Sequence, residues 1–217
     1  YYTVGGKKIK TKNEYKTTYV TEIANYKLNY LTNTWTYNSE HYTNMVDGLV
    51  ENDKYGNIKG ALAKGYKQTS KGDKDVWTFQ LKEGVAWVDN ETGKEYSEVV
   101  AQNFVDGIKY VLDPVNGSGT IGIVMGLIDG SAEYYQANLA IQAKESAEAK
   151  QKAGQKLTDE EKEALEFEIT DEVKEAAKFE SVGVKAISKY EVEYTLYTKT
   201  PYFLSSLTYS PFLPVDQ

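Results

Sequence analysis

The most constraining feature of this sequence is an alternation of apolar and polar side chains centred on Trp77, Phe79 and Leu81. A period of two is typical of a β-strand that packs one face on a hydrophobic core. The polar residues 71–74 precede this strand and include a glycine, which is suited to a chain reversal after an earlier strand near residues 64–69. We therefore predict that two antiparallel strands form the centre of the fold.

A second tryptophan follows the central strand closely. Glu83 and Gly84 are expected to bend the chain, after which Val85 and Trp87 return to the same apolar surface. Burying two indoles removes a few hundred Å² of apolar area from water, which is worth several kcal/mol before entropy is counted. The prediction is that both tryptophans belong to one core.

Amphipathic helices are predicted on both sides of this region. Ser39 is a candidate N-cap for a short helix over residues 40–50. Ser97 begins the clearest helical pattern, which ends at Asp113 because a residue that precedes proline avoids the helical conformation. Residues 115–126 are rich in glycine and small side chains, which predicts a loop or a flexible strand.

Three more helices are predicted in the second half of the chain. Ser131–Lys152 is rich in Ala, Gln, Lys and Glu, and Gly154 is expected to end this helix. Thr158 begins the next helix with a capping box. A third helix is expected to start at Thr170 and to run to about Phe179.

Further strands are predicted near both ends of the chain. Residues 18–24 alternate like a strand, and residues 182–196 are typical of a hairpin that turns at residues 188–189. The pair Gly5 and Gly6 either closes a two-residue hairpin or belongs to a mobile lead-in.

Composition excludes several functions. The net charge is −7, and all 25 basic residues are lysines, whereas a nucleic-acid binder needs a basic face and uses arginine to read bases and phosphates. The 19 tyrosines suit a binding surface, although compositional bias of the genome explains them equally well. The chain has no cysteine, so disulfides and thiolate chemistry are excluded.

No catalytic or metal site is predicted. His41 is the only histidine, and we assign it a structural or surface role; with no cysteine, this excludes triads, Cys–His pairs and multi-histidine metal sites. The acidic residues 159–163 are interpreted as a solvated helix start. The glycines of residues 117–122 lack the strand, the helix and the lysine of a phosphate-binding loop. We predict a mixed α/β binding domain that is not an enzyme and needs no cofactor.

A series of motifs occurs in an order and spacing that define a known family. These are an acidic-Gly-Leu sequence that ends residues 45–50, Gly-x-Leu-Ala-x-x-Tyr in residues 60–66, Thr-Phe-x-Leu-Lys in residues 78–82, Trp-x-Asp in residues 87–89, and Asp-Pro at residues 113–114. The set resembles the extracytoplasmic oligopeptide-binding proteins of ABC importers, solute-binding protein family 5. Gly60 stands where the family has Pro, Tyr66 where it has Trp, and Lys82 where it has Arg.

The resemblance implies a periplasmic-binding-protein-like class II lobe of mixed α/β structure. Residues 1–17 are then an N-terminal lead-in, and residues 18–217 form the first lobe with a helical insertion at about 139–179. Family members run to well over twice the length of this chain. We therefore expect a fragment whose first lobe is incomplete and whose second lobe is absent.

The resemblance also implies a binding site. In the family a peptide lies extended between two lobes and is bound largely through its backbone. The motif anchors place the first-lobe pairing segment on Thr34, Trp35 and Thr36, with Trp35 either a cleft wall or part of the core. Ser118, Thr120 and Ile121 approach the same cleft.

The implied partners are an oligopeptide and the membrane permease of an ABC importer. The parent protein is expected on the extracellular face of the membrane, held by a lipid anchor outside this fragment. The alternative function is a cell-surface peptide or pheromone receptor, or a partner-interaction module that uses the helices of residues 131–179. A hydrolase is a more distant possibility.

Overall fold

The structure is a computed structural model, and it describes residues 2–4, 7–10 and 29–216. The strands are β1 (Tyr2–Val4), β2 (Lys7–Ile9), β3 (Val50–Asn52), β4 (Ile58–Gly60), β5 (Ala63–Lys71), β6 (Lys74–Leu81), β7 (Ala86–Val88), β8 (Glu95–Glu98), β9 (Val184–Ser188) and β10 (Glu191–Thr195). The α-helices are α1 (Thr36–Tyr42), α2 (Ala101–Leu112), α3 (Ile121–Met125), α4 (Ser131–Lys152), α5 (Asp159–Glu166), α6 (Asp171–Ala176) and α7 (Phe203–Ser206).

The largest sheet of the described residues is antiparallel and has the strand order β5-β6-β10-β9. Trp77, Phe79 and Leu81 of β6 are all buried on one face, as the alternation predicts. The predicted preceding strand is β5, and the two-residue turn between β5 and β6 places Gly72 at φ +66°, a conformation that favours glycine. The predicted centre of the fold is therefore confirmed.

The two tryptophans contact the same hydrophobic core. The ring of Trp77 lies 5.8 Å from that of Phe203, which is fully buried. Trp87 lies on β7, and its indole Nε1 donates a hydrogen bond to Asn103 Oδ1 of α2 at 3.3 Å. The shared core is thus confirmed, with one indole in the sheet and the other against α2.

Helix α2 begins four residues later than the sequence predicts. Ser97 lies on β8, which pairs with β7, so the helix starts only at Ala101. Asn103 caps this start, because its Oδ1 accepts a hydrogen bond from Val100 N at 2.8 Å. The end of the helix at Leu112 agrees with the prediction, and the Asp113 carboxylate accepts from the next turn.

The helix predicted over residues 40–50 is wrong in both bounds. Helix α1 is Thr36–Tyr42, and Ser39 lies inside it, where its hydroxyl donates to Thr36 O at 2.6 Å instead of capping the helix. The chain after Tyr42 leaves the helix because its backbone pairs elsewhere: Gly48 O accepts from Leu62 N at 3.0 Å. The apolar spacing of this segment therefore reflects core contacts and not helical continuation.

The sequence predicts a loop or a flexible strand over residues 115–126, and this prediction is wrong for part of the segment. A 3₁₀ turn at Pro114–Asn116 is followed by the short helix α3. Val124 of α3 is fully buried, and Ile121 and Ile123 pack against the same core. Burial of these three side chains outweighs the poor helix propensity of the neighbouring glycines.

The helices of the second half agree closely with the sequence. Helix α4 has the predicted bounds, and Gly154 follows its end at φ +68°. Thr158 and Glu161 form the predicted capping box of α5. Helix α6 begins after Thr170 but ends at Ala176, because a 3₁₀ turn at Phe179–Ser181 continues the chain. No helix of the described residues is long and apolar enough to cross a membrane.

The remaining expectations concern the ends of the chain. The predicted hairpin is β9–β10, with its turn at residues 189–190, one position later than expected. Strands β1 and β2 pair with Val4 opposite Lys7, while Gly5 and Gly6, the residues of the predicted turn or lead-in, lie outside the described residues. The predicted strand at 18–24 and the boundary at residue 17 lie outside the described residues. The insertion boundary at residue 139 falls inside α4 and stays a prediction.

Candidate functional site

The two segments that carry the predicted site residues lie side by side. Ser118 Oγ donates a hydrogen bond to Leu31 O at 2.8 Å, and Gly119 N donates to Thr32 O at 3.2 Å. These bonds join the loop before α3 to the segment that leads into α1. The structure thus brings residues 118–121 next to residues 31–36, two parts of the chain that are far apart in sequence.

Ser118 is mostly enclosed, with 8% of its surface exposed. Besides its bond to Leu31, its hydroxyl lies 3.1 Å from Thr120 Oγ1 and accepts from Thr120 N at 3.3 Å. Thr120 and Ile121 are half-buried, and Ile121 packs against the core from the first turn of α3. The role of Ser118 in this geometry is to hold the two segments together, whereas Thr120 is more open to solvent.

Gly119 lies at this junction, and the sequence prediction omitted it. A Cβ atom at residue 119 would lie 2.6 Å from Thr34 Cγ2, far inside van der Waals contact. A larger residue would therefore require the exposed side chain of Thr34 to turn away from the loop. A glycine between two hydroxyl residues was the available signal, but without the fold it did not indicate which neighbour was close.

The predicted pairing segment is exposed. Thr34, Trp35 and Thr36 all lie at the surface, and Trp35 is 61% exposed. Trp35 is the residue that precedes α1. Its backbone N–H donates a hydrogen bond to Asn33 Oδ1 at 2.8 Å, and its backbone carbonyl accepts one from Asn38 N at 3.0 Å. Of the two readings of Trp35, membership of the core is excluded by this exposure.

The backbone of Thr34 is available for pairing. Within the described part of the chain, neither the N–H nor the C=O of Thr34 has a hydrogen-bond partner. Backbone groups of this kind are normally satisfied by protein or water, so an exposed unpaired pair is free to bond an extended chain. This is the chemical capability of the site: one donor and one acceptor beside an exposed indole.

The predicted site residues themselves carry no charge. None of the six predicted residues is ionisable. Tyr30, just before them, donates its hydroxyl hydrogen to Pro214 O at 2.6 Å, and burial raises its pKa to about 12. Asn29 Nδ2 donates to Tyr110 Oη at 2.9 Å, so the segment is anchored at two points. Residues 2–4, 7–10 and 29–216 contain no cluster of His, Asp and Glu suited to a metal ion.

Comparison with solved structures identifies the fold. The chain is similar to a periplasmic oligopeptide-binding protein (OppAIV) from Borrelia burgdorferi, with a TM-score of 0.62 and 21% identity over 87% of this chain and 29% of that one. It is also similar to peptide-bound OppA of Listeria monocytogenes, with a TM-score of 0.57 and 20% identity. The fold is therefore that of a periplasmic-binding-protein-like lobe of mixed α/β structure, which confirms the predicted fold class.

Sequence comparison identifies the family. The model of the bacterial extracellular solute-binding proteins, family 5 (Middle), matches residues 57–217, and the chain belongs to this family. It is 28% identical over 175 residues to the oligopeptide-binding protein AmiA of Streptococcus pneumoniae, and 29% identical over 199 residues to SarA of Streptococcus gordonii. These matches cover 81% and 92% of this chain but only 20% and 24% of the relatives, so the chain spans about a quarter of their length or less.

Proposed function

We propose that this chain is part of the first lobe of a substrate-binding protein that captures oligopeptides for an ABC importer. The observation that carries the proposal is the unpaired backbone of Thr34 beside the exposed Trp35. Family membership supports it, because the family consists of extracellular solute-binding proteins and not of enzymes. The relatives AmiA and SarA are named as oligopeptide-binding proteins, which supports peptides as the class of solute.

The proposed ligand is an extended peptide that pairs with the chain at residues 34–36. Thr34 supplies a donor and an acceptor in the manner of an added β-strand, and the indole of Trp35 provides an apolar wall for one ligand side chain. Thr120 and Ile121 border the same place from the other segment, and Ser118 holds the two segments together. A second lobe in the parent protein closes over the peptide.

The neutrality of the site fits this mode of binding. Main-chain hydrogen bonds do not depend on the side chains of the ligand, so the lobe can accept peptides of many sequences. No charged group among residues 34–36 or 118–121 selects for a peptide terminus. We therefore expect any recognition of the terminal amine to reside in the second lobe.

Calorimetric titration of the full-length parent protein with a pool of short peptides tests the proposal. We expect saturable heat, and the absence of heat with every pool would contradict peptide binding. The sharper test replaces Thr34 by proline, which removes the N–H. Loss of one backbone bond should weaken binding by about tenfold.

Two further variants make this result specific. Trp35→Ala removes the exposed indole and should also weaken binding, without changing the backbone. Tyr55→Ala is the matched control, because Tyr55 is 77% exposed in the turn between β3 and β4 and is outside the proposed site. An equal loss of affinity in Tyr55→Ala would mean that the site is elsewhere.

The proposal extends to the parent protein as a whole. We infer that a lipid anchor holds it at the extracellular face of the membrane, that a permease receives the closed form, and that residues 139–179 are an insertion in the first lobe. Release of the parent from membranes by detergent but not by salt would support the anchor. Recovery in the salt wash would contradict it.

A receptor or partner-interaction role is favoured by one observation. Residues 131–181 contain 13 acidic residues and 7 lysines, a net charge of −6 out of the −7 of the chain. Such a surface attracts a cationic partner. Deleting residues 139–179 separates the two functions: peptide import survives if the first proposal holds, whereas partner binding is lost if these helices carry the function.

A further inference from the structure

One dipeptide of the sequence has chemistry that the proposed function does not use. Asn116 is followed by Gly117, and this is the single Asn-Gly pair among the 217 residues. An asparagine that precedes glycine loses ammonia more readily than other asparagines, because no side chain shields the following backbone nitrogen. The pair lies directly before Ser118, in the loop that contacts residues 31–34.

We propose that Asn116 is a site of spontaneous deamidation that breaks the junction between this loop and the segment before α1. The backbone nitrogen of Gly117 loses its proton and attacks Cγ of Asn116, and the Cγ–Nδ2 bond breaks with release of ammonia. Water then opens the resulting succinimide at either carbonyl. The products are aspartate and isoaspartate, and no oxidant or reductant takes part.

The surroundings of the pair permit this reaction. Gly117 is exposed and has the left-handed φ of +56°, and no atom lies within 4 Å of the position where its Cβ would be. Two contacts oppose the attack: Gly117 N donates to Pro114 O at a long 3.3 Å, and Asn116 Nδ2 donates to Tyr110 O at 2.9 Å. The first bond closes the 3₁₀ turn, and the second joins this turn to the last turn of α2. Breaking these two bonds frees a unit that is short enough to open locally without unfolding of the core.

The product disturbs the loop in two ways. A carboxylate at residue 116 cannot donate to Tyr110 O, and its charge lies three residues from the carboxylate of Asp113. Isoaspartate also adds a methylene group to the main chain just before Ser118. The hydrogen bond from Ser118 Oγ to Leu31 O and the one from Gly119 N to Thr32 O both depend on the present length of the loop. The effect on peptide binding rests on the proposed function, whereas the chemical step does not.

The test is incubation of the folded chain at mildly alkaline pH, followed by proteolysis and peptide mass analysis. We expect Asn116 to gain the mass of an amide-to-acid conversion several times faster than Asn57 and Asn90. These two are exposed and are followed by Ile58 and Glu91, so they serve as internal controls. Modification of Asn116 at the same rate as Asn57 and Asn90, or none at all, would overturn the proposal.

Two variants establish the structural consequence. Asn116→Gln keeps an amide and should stay unmodified, while Asn116→Asp reproduces one product. Amide hydrogen exchange at Gly119 should be faster in Asn116→Asp than in Asn116→Gln, because the loop has lost its contact with Tyr110 O. Equal exchange would contradict the claim that deamidation breaks the junction. Neither measurement uses a peptide ligand, so a failure here is separate from a failure of peptide binding.

Discussion

The four-stranded sheet and the helical region of residues 131–181 are held together by different interactions. In the sheet, Phe79 and Tyr194 are fully buried and contact each other edge to face at 6.0 Å. In the helical region, α5 and α6 contain no buried residue, and polar contacts such as the ion pair Lys150–Glu161 and the hydrogen bond from Lys144 Nζ to Phe167 O join this part of the chain to α4. A buried apolar side chain adds free energy of folding on the order of 1 kcal/mol or more, whereas an ion pair near the surface adds little.

The difference has a consequence for the site. A hydrogen bond from Ser118 to Leu31 joins the two segments of the site, residues 31–36 and 118–121. Both segments are also held on the hydrophobic core that α1, α2 and α3 contact, which we call the core side of the molecule. A direct side-chain bond between the helical region and this side is Gln142 Nε2 to Asp113 Oδ1 at 3.4 Å. Because Ser131 and Tyr134 at the start of α4 belong to the core side, it is α5 and α6 that should open or vary in sequence with little effect on the proposed peptide site.

The largest expected effect comes from truncating a core aromatic. Phe79→Ala should lower the free energy of unfolding by about 3–5 kcal/mol, because it leaves a cavity in the core against the buried face of the sheet. Phe167→Ala is the matched change in the helical region, where Phe167 is 37% exposed. Denaturant titration compares the two. Similar losses in the two variants would show that the helical region is as tightly packed as the sheet.

A smaller and more local effect is expected inside the helical region. Ala147 of α4 is fully buried, and α4 packs against α5. Ala147→Leu adds three carbon atoms at this position and should cost about 1–3 kcal/mol of overpacking. Amide exchange should increase in α5 but not in β6 or β10. Increased exchange in β6 would mean that the two regions unfold as one unit.

The sequence predicted most of the sheet and the helical region because both depend on local patterns. Alternation located β6, and the box formed by Thr158 and Glu161 located the start of α5. It failed where a long-range contact overrides the local pattern. Ser97 looks like a helix start but lies on β8, since pairing with β7 satisfies its backbone instead.

The predicted binding role of the site residues stays a prediction, and the structure bears only on where these residues lie. The family motifs indicated residues 34–36 and 118–121, and the structure places these segments in contact. Two facts were beyond the sequence: the close approach of Gly119 to Thr34, and the hydrogen bond from the Ser118 hydroxyl to Leu31 O. Both depend on the distance between segments that are more than eighty residues apart.

The third prediction compares a cap that exists with one that the sequence suggested wrongly. Thr158 Oγ1 accepts from Glu161 N at 3.3 Å, so Thr158→Ala should lower the stability of α5 by about 1 kcal/mol. Ser39 lies inside α1 and bonds Thr36 O, so Ser39→Ala should change the stability of α1 far less. Helical content and local amide exchange measure both effects. A larger loss from Ser39→Ala would reverse the structural assignment of the caps.

The smallest effects are expected from two half-buried carboxylates, Glu98 of β8 and Glu161 of α5. Glu98 accepts from Lys189 Nζ at 2.7 Å, from Tyr190 Oη at 2.6 Å and from Gly84 N at 3.0 Å. These bonds lower its pKa from 4.5 to about 2. In the helical region, the hydrogen bond from Lys150 lowers the pKa of Glu161, with a further contribution from the backbone of Thr158.

A lowered carboxyl pKa stabilises the folded state above the pKa of the unfolded chain, and this contribution is lost as the pH falls through the folded value. The contribution of Glu98 should therefore be complete above about pH 4.5 and disappear toward pH 2. Glu98→Gln should be less stable than the parent chain at neutral pH, and the two should converge on acidification. Because Glu98 joins β8 to the turn between β9 and β10, its loss should affect the sheet, whereas Glu161→Gln should affect α5 alone. Denaturant titrations at neutral and acidic pH, followed by tryptophan fluorescence, distinguish the two variants. A pH-dependent shift of this unfolding transition in Glu161→Gln would show that the ion pairs of the helices also support the core.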